Sequence, residues 1–407
     1  MLKSVEIKNF RSCEATTLEL GRSLCAIFGR NGVGKSNILK AIEWAAHAVT
    51  VADGIRIGPA GNEGRGLDEV AIRFRLLLSG VAYDYRLAVP SPRRQMIGLA
   101  PNRPLGLEES LRVQHVDGSF ETVFERRAEE ILVRTVPGPI QIPGPTPALA
   151  ALHSLLAADN PGRMHVDRVF TFFKGVGYYT LDDGADSRSY VTEDEYEEWK
   201  LRYRSYGILT DSVIFRLIYL SQVEPEVFDE LLQIIGPTGL NVVRSFKPNR
   251  SIFPNTRFSS EDTAVSVTTL FAPRFWPSIH KREGAGFPVS FSDLSVGTRR
   301  VIRVITSMLF DKRSLMLIEQ LEDSIHPGLL RKLVDTLRVY SSESQMLITT
   351  HSPEVLDVLD PEDVLLVTAP DGVTEVGRLS PSQVAGAKEF LKHEGSLSEF
   401  LEPLDAP

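Results

Sequence analysis

Eight consecutive residues, Gly29-Arg30-Asn31-Gly32-Val33-Gly34-Lys35-Ser36, carry the clearest chemistry in the chain. Their spacing is G-x-x-x-x-G-K-[ST], the pattern of a phosphate-binding loop. Glycines let such a loop curl until its N–H groups converge on a phosphate, and the helix that follows turns its positive N-terminal end to the same anion. Lys35 can reach the β- and γ-phosphates, and Ser36 offers a hydroxyl to Mg²⁺. Asn31, Gly32, Gly34 and Asn37 complete the candidate nucleotide contacts around them. A second feature is the apolar run Ser314-Leu315-Met316-Leu317-Ile318 followed by Glu319. A carboxylate at the C-terminal end of such a strand can hold the water shell of Mg²⁺. The pair predicts a nucleoside triphosphate site with a bound metal.

The elements needed to position these groups are legible. Leu24-Cys25-Ala26-Ile27-Phe28 reads as a short buried strand before the loop, and Asn37 to Trp44 as the helix after it. Residues 1 to about 28 suggest strands around the turn Asn9-Phe10-Arg11-Ser12. Val70–Leu76 and Tyr83–Val89 alternate at period two about Ser79-Gly80, predicting an antiparallel hairpin, with a second turning at Asp117-Gly118. Ala52 to Gly66 reads as a loop, and the prolines at 137, 139, 143, 145 and 147 as a stiff connector. Residues 148–285 are mainly helical in character: Thr192-Glu193-Asp194-Glu195 forms a capping box, and Asp211 could cap a helix from Ser212 to Leu220. The apolar strand Gln345–Thr349 follows Glu319, with a helix over Gly328–Tyr340 between them, the alternation of a mostly parallel sheet covered by helices.

Composition removes several classes. The chain has 407 residues, ample for a large core, and its 45 basic and 53 acidic side chains give a formal charge of −8. That balance argues against wholesale coating of nucleic acid while permitting a local basic patch. No apolar run approaches the ~20 residues needed to span a bilayer, so no membrane partner is expected. The first residues alternate like a strand, without a signal-peptide core. The two cysteines, Cys13 and Cys25, read as buried thiols, and the simplest location is the cytoplasm of a bacterial cell. The acidic cluster Glu193–Glu198 reads as a solvated helix face rather than a metal site.

Phe291-Ser292-Asp293-Leu294-Ser295-Val296-Gly297-Thr298-Arg299-Arg300 resembles the signature loop of ABC-type ATPases, and Thr349-Thr350-His351-Ser352-Pro353 their switch-histidine motif. Together with Ile7-Lys8-Asn9-Phe10-Arg11, the phosphate loop and Glu319-Gln320-Leu321-Glu322-Asp323-Ser324-Ile325-His326-Pro327, the set resembles the RecF/SMC-like ABC ATPases. The nearest branch is the one shared by the overcoming-lysogenization-defect (OLD) nucleases and many phage-defence ATPases. The resemblance covers both ends of the chain and the middle only loosely. It implies an α/β ATPase head with a mixed sheet, flanking antiparallel hairpins and a helical insertion. The expected divisions are 1–147 and 286–407 for the two parts of the head, with 148–285 as the insertion. It also implies ATP and Mg²⁺ as ligands, Ser36 and Glu319 on the metal, and His351 as the switch histidine. Ser295 and Gly297 would complete the site of a second head in trans, in a homodimer or higher homo-oligomer. Arg11 would lie near the adenine or phosphates, though a surface arginine at a strand end reads equally well.

Gln320 departs from the family pattern, which places a second acid here to polarise the attacking water. Glutamine can hydrogen-bond that water but cannot accept its proton at neutral pH. Slow hydrolysis is therefore expected. Glu322 could act as the base instead, although an acid at a helix start near His326-Pro327 is the plainer reading. The glutamine of the family's glutamine loop is not singled out among Gln95, Gln114 and Gln141.

About 55 residues follow His351, few for an independent nuclease domain, and their acids Asp357, Asp360, Glu362, Asp363 and Asp371 read as solvent-facing. The leading expectation is an ATP-driven switch subunit of a bacterial anti-phage defence complex, controlling a separate effector such as a nuclease. The alternative is a RecF-like DNA-repair ATPase that clamps DNA through a basic groove. Candidates for that groove are Arg299, Arg300 and Arg303, Lys312-Arg313, Arg93-Arg94 and Lys281-Arg282. A nucleotide-binding scaffold without turnover is a third reading and rests on Gln320 alone.

Overall fold

The computed structural model describes residues 1–50, 69–90, 107–142, 144, 146–180, 188–206, 212–258, 263–278, 287–393 and 395–401. Outside them lie the whole expected 52–66 loop, Arg93, Arg94, Gln95, Pro143, Pro145, Asp211, Lys281 and Arg282. The chain forms two compact units. The first comprises 1–180, 313–321 and 337–407, and the second 181–312 and 322–336.

In the first unit, β1 (Leu2–Phe10) and β2 (Cys13–Glu19) form a hairpin, followed by β3 (Leu24–Phe28) and α1 (Lys35–Thr50). Then come β4 (Glu69–Leu78), β5 (Val81–Pro90), β6 (Glu108–Gln114), β7 (Phe120–Arg127), β8 (Glu130–Val133) and β9 (Ile140–Gln141). These eight strands other than β3 make one antiparallel sheet in the order β2-β1-β4-β5-β6-β7-β8-β9. Both expected hairpins are present as β4–β5 and β6–β7. Strands such as β6 bury alternate residues, the pattern of a sheet with one face on a core.

The helices α2 (Ala148–Leu155) and α3 (Arg163–Lys174) precede β10 (Val176–Thr180). The second unit contains β11 (Val191–Thr192), α4 (Glu193–Tyr206), α5 (Val213–Val223), α6 (Pro225–Ile235), β12 (Val243–Lys247), β13 (Arg250–Phe258), β14 (Thr263–Phe271), β15 (Arg274–Pro277) and α7 (Val296–Asp311). The remaining elements are β16 (Leu315–Glu319), α8 (Pro327–Tyr340), β17 (Gln345–Thr350), α9 (Pro353–Leu356), β18 (Val364–Thr368), β19 (Glu375–Arg378), α10 (Pro381–His393) and α11 (Leu397–Leu401).

A six-stranded sheet of order β10-β16-β17-β3-β18-β19 carries the site. All its pairs are parallel except β18–β19. Its centre is buried on both faces: Leu24 to Ile27, Leu315 to Ile318 and all of Gln345–Thr350 are enclosed. Continuous rather than alternating burial is what a parallel sheet covered on both sides requires. The helix α1 packs on β10 and β16 of this sheet and on β1 and β4 of the other. Its Ile38, Leu39, Ile42 and Val49 are fully enclosed, each worth about 2 kcal/mol of transfer from water. That packing fixes the helix start, and so the end of the phosphate loop.

The boundaries read from sequence at 148 and 286 are not those of the compact units. α2, α3 and β10 belong with the first unit, because Leu149, Leu152, Val166, Val169 and Phe173 join its core. The stretch is also not helical throughout: its last third forms β12 to β15. The capping box is present, with Thr192 and Glu195 bonding each other's backbone N–H. The next helix is capped by Ser212, whose Oγ accepts from the Ile214 N–H at 3.3 Å.

Candidate functional site

The phosphate loop joins β3 to α1 in the first unit. Asn31, Gly32, Gly34, Lys35, Ser36 and Asn37 line a cleft of about 260 Å³, together with Gln320 and Thr349. The structure thus brings together residues separated by some 300 positions, because β3, β17 and β16 lie side by side and end at one edge. Lys35 is 7% exposed, and its ammonium donates to the carbonyls of Gly29 at 2.5 Å and Arg30 at 2.8 Å. The side chain therefore folds back over its own loop.

The loop is backed by a polar network. Thr374 Oγ1 donates to the Val33 carbonyl at 2.9 Å, and Ser12 Oγ lies 2.6 Å from Thr374 Oγ1. Asn37 Nδ2 donates to Ser12 Oγ at 2.8 Å, and Arg11 donates to Asn37 Oδ1 at 3.2 Å. Gly34, at φ 101°, has no alternative residue here: a Cβ would stand 2.0 Å from Thr374 Oγ1. Arg11, at φ 53°, lies on the Phe10 ring as well as on Asn37. Asn37 is thus the link between loop and hairpin, in addition to lining the cleft. Cys13 beside this network and Cys25 on β3 are buried free thiols, and burial raises the pKa of both.

Glu319 ends β16, and the Tyr178 phenol on β10 donates to its Oε2. Burial first, then the hydrogen bond to Glu319, raise the Tyr178 pKa far above that of a free phenol. Gln320 follows in the left-handed region, φ 47°, a conformation costing a non-glycine residue about 1 kcal/mol or more. Its N–H donates to Thr349 Oγ1 at 2.9 Å, and Thr349 is 1% exposed. His351 follows β17 directly and is exposed. Ser36 and Glu319 offer hard oxygen donors, the set Mg²⁺ takes beside phosphate oxygens. Among the described residues no cluster of three His, Cys, Asp or Glu could form an all-protein metal cage. The chemistry of these two donors fits Mg²⁺ held jointly with nucleotide, where it would neutralise developing phosphate charge.

Ser295 and Gly297 lie in the second unit, at the start of α7. Ser295 caps that helix, accepting from the Thr298 N–H at 3.3 Å and donating to Thr298 Oγ1 at 2.9 Å. A Cβ on Gly297 would sit 2.2 Å from the Ser324 carbonyl oxygen, so glycine permits the close approach. The turn before it is closed by a capping box between Ser290 and Asp293, with Phe291 fully buried beneath.

Among the described residues, the arginines proposed for a basic groove are engaged internally. Arg299 donates to the Ser292 carbonyl at 2.6 Å, Arg300 is 6% exposed and pairs with Asp323, and Arg303 is buried over the Phe291 ring. Arg313 is buried on Tyr179, and exposed Lys312 pairs with Glu224. Gln114 and Gln141 serve β-hairpins, donating to Gly118 and Glu130. The cluster at 193–198 is a capped helix face with ion pairs to Arg250, Lys200 and Arg202. Asp360, Glu362 and Asp363 surround Arg22 in an ion-pair network, and burial lifts Asp363 to about 6. Asp363 is buried, contrary to the solvent-facing expectation.

Tyr178, Ser12 and Thr374 were not foreseen as neighbours of the site. Tyr178 lies 141 positions from Glu319 and Thr374 lies 341 from Val33, and no local pattern marks either. Thr349 had a signal, since it stands two residues before His351.

The family described as "AAA domain, putative AbiEii toxin, Type IV TA system" matches residues 24–357, from β3 past His351. The chain belongs to this family. It is accordingly an ATPase domain, and ATPases of this kind bind ATP, typically with Mg²⁺. No curated protein matches the sequence. Among solved structures, an SMC head bound to the C-winged helix domain of ScpA is 13% identical, with a TM-score of 0.44 over 95% of this chain and 99% of that one. The SMC head domain from Thermotoga maritima is 14% identical, TM-score 0.42, over 93% and 99%. A third, an Smc head with an extended coiled coil bound to the C-terminal domain of ScpA derived from Pyrococcus furiosus, is 12% identical, TM-score 0.43, over 96% and 99%. Among the described residues no helix is long and apolar enough to cross a membrane.

Proposed function

We propose that the chain is the ATP-dependent switch of a bacterial anti-phage defence system of the OLD-like branch, acting in the cytoplasm. Two copies close head to head on Mg²⁺·ATP, and closure creates or releases the surface that a separate effector such as a nuclease reads. The observation that carries this reading is the division of labour in the chain. One unit holds the nucleotide cleft of Lys35, Ser36 and Gln320, and the other holds a finished signature turn at Ser295 and Gly297. A helix N-terminus with a capping serine suits the γ-phosphate of a second copy. The toxin system in the family description supports a defence role. The DNA-clamp alternative draws less support, because Arg300, Arg303 and Arg313 are buried.

In this reading Gln320 occupies the position of the water-polarising acid, and turnover is slow while closure persists. The test compares ATP turnover and molar mass of the chain with those of Gln320→Glu, with and without Mg²⁺·ATP. A general base is worth on the order of 10²-fold, so the glutamate form should turn over about that much faster. The unaltered chain should accumulate as an ATP-dependent dimer. Equal turnover in both forms would remove the role assigned to Gln320, and a strictly monomeric chain under ATP would remove the switch.

A further inference from the structure

We infer that Tyr178 is a positioning residue for the nucleotide site: its phenol holds the Glu319 carboxylate in the orientation that Mg²⁺ requires. The inference rests on the ATPase reading of that cleft. β10 and β16 pair in parallel with Tyr178 opposite Leu317 and Thr180 opposite Glu319. Side chains two apart on a strand share a face, so Tyr178 stands diagonally from Glu319 on the same side of the sheet. Its hydroxyl donates to Glu319 Oε2.

A glutamate at a strand end has three side-chain torsions to fix before both its oxygens are placed. A hydrogen bond to one oxygen fixes the carboxylate plane and lowers the ordering entropy that metal binding must overcome. The phenol can do this because its own backbone is locked in the sheet beside Glu319, and its ring is half-buried. Carboxylates that bind metals are commonly held by such outer hydrogen bonds, whose removal costs about ten- to a hundred-fold in metal affinity.

The test titrates Mg²⁺ against the chain with a fluorescent ATP analogue, reading nucleotide binding rather than turnover. Tyr178→Phe should raise the half-saturating Mg²⁺ concentration about ten-fold, while nucleotide binding without Mg²⁺ stays within about two-fold and the nucleotide-free Tm barely moves. Glu319→Gln should raise it at least as far, and adding Tyr178→Phe to Glu319→Gln should change it by less than about two-fold, since the two act through one carboxylate. Tyr178→His, which keeps a ring and an N–H donor, should recover part of the loss. A half-saturating concentration unchanged in Tyr178→Phe would overturn the inference alone. So would an undiminished effect of that substitution in the Glu319→Gln background, or equal loss in the His and Phe variants. Nucleotide binding independent of Mg²⁺ in the unaltered chain would overturn it together with the metal role of Glu319.

Discussion

Around the phosphate loop the supporting contacts come from 25 to 341 positions away, from the β1–β2 turn and from Thr374, whereas the turn at Ser295 is closed mostly by residues within five of it. Thr374 bonds Val33 and Ser12, and Ser12 bonds Asn37, so the loop is framed by β19's approach and by the β1–β2 turn. Ser295 bonds Thr298 and Ser290 bonds Asp293 locally, while Ser189 bonds Ser292, Arg274 bonds Ser290, and the Ser324 carbonyl dictates glycine at 297. A locally closed turn can form with its helix and be presented whole to another molecule. A loop framed from afar is correct only when the whole first unit has folded. Under the proposed function, the difference suits a cleft that holds polyphosphate rigidly and a turn that is offered to a second copy.

That contrast can be broken or sharpened by substitution. Gly34→Ala should have the largest effect, since the new methyl meets Thr374 and the backbone is left-handed. A loss of about 3 kcal/mol in unfolding free energy, with loss of ATP binding, is expected from denaturant melts and nucleotide titration. Gly297→Ala pushes a methyl against a backbone carbonyl and should cost about 2 kcal/mol. Its signature would be ATP bound to the chain without ATP-dependent dimerisation, measured by light scattering. If Gly297→Ala abolished nucleotide binding in the monomer, the two regions would not be separable as argued. Thr374→Val removes the hydroxyl shared by Val33 and Ser12 and should cost about 1–2 kcal/mol, with weaker nucleotide binding. Ser295→Ala removes a cap and should cost about 1 kcal/mol, the smallest effect on folding. A Thr374→Val change smaller than that of Ser295→Ala would reverse the ranking and the explanation with it.

Much of the fold was legible because its signals are local. The glycines before Lys35, the alternation in β4 and β5 and the apolar runs of β3, β16 and β17 each declare an element within about ten residues. The α/β class and the hairpins followed. The extent of the insertion was not legible, since α2 and α3 look like any amphipathic helices until their apolar faces are assigned to the core of the first unit. The role of the arginines after the signature motif was equally hidden. Arg300 and Arg303 read as surface charge in a string, and their burial depends on where Asp323 and Phe291 arrive.

By itself the sequence determined that a phosphate-loop pattern, the turn at Ser295 and Gly297, a strand ending in Glu319, and His351 follow one another in an order that resembles one ATPase class. Those identities follow from residue type and short spacing, which the backbone's local geometry enforces. The tertiary structure alone decided what touches them. Tyr178 reaches Glu319 because β10 lies in parallel register beside β16, and Thr374 walls Gly34 because the approach to β19 returns past the loop. Contacts of this kind are set by strand order and packing over hundreds of residues, for which a linear pattern has no period.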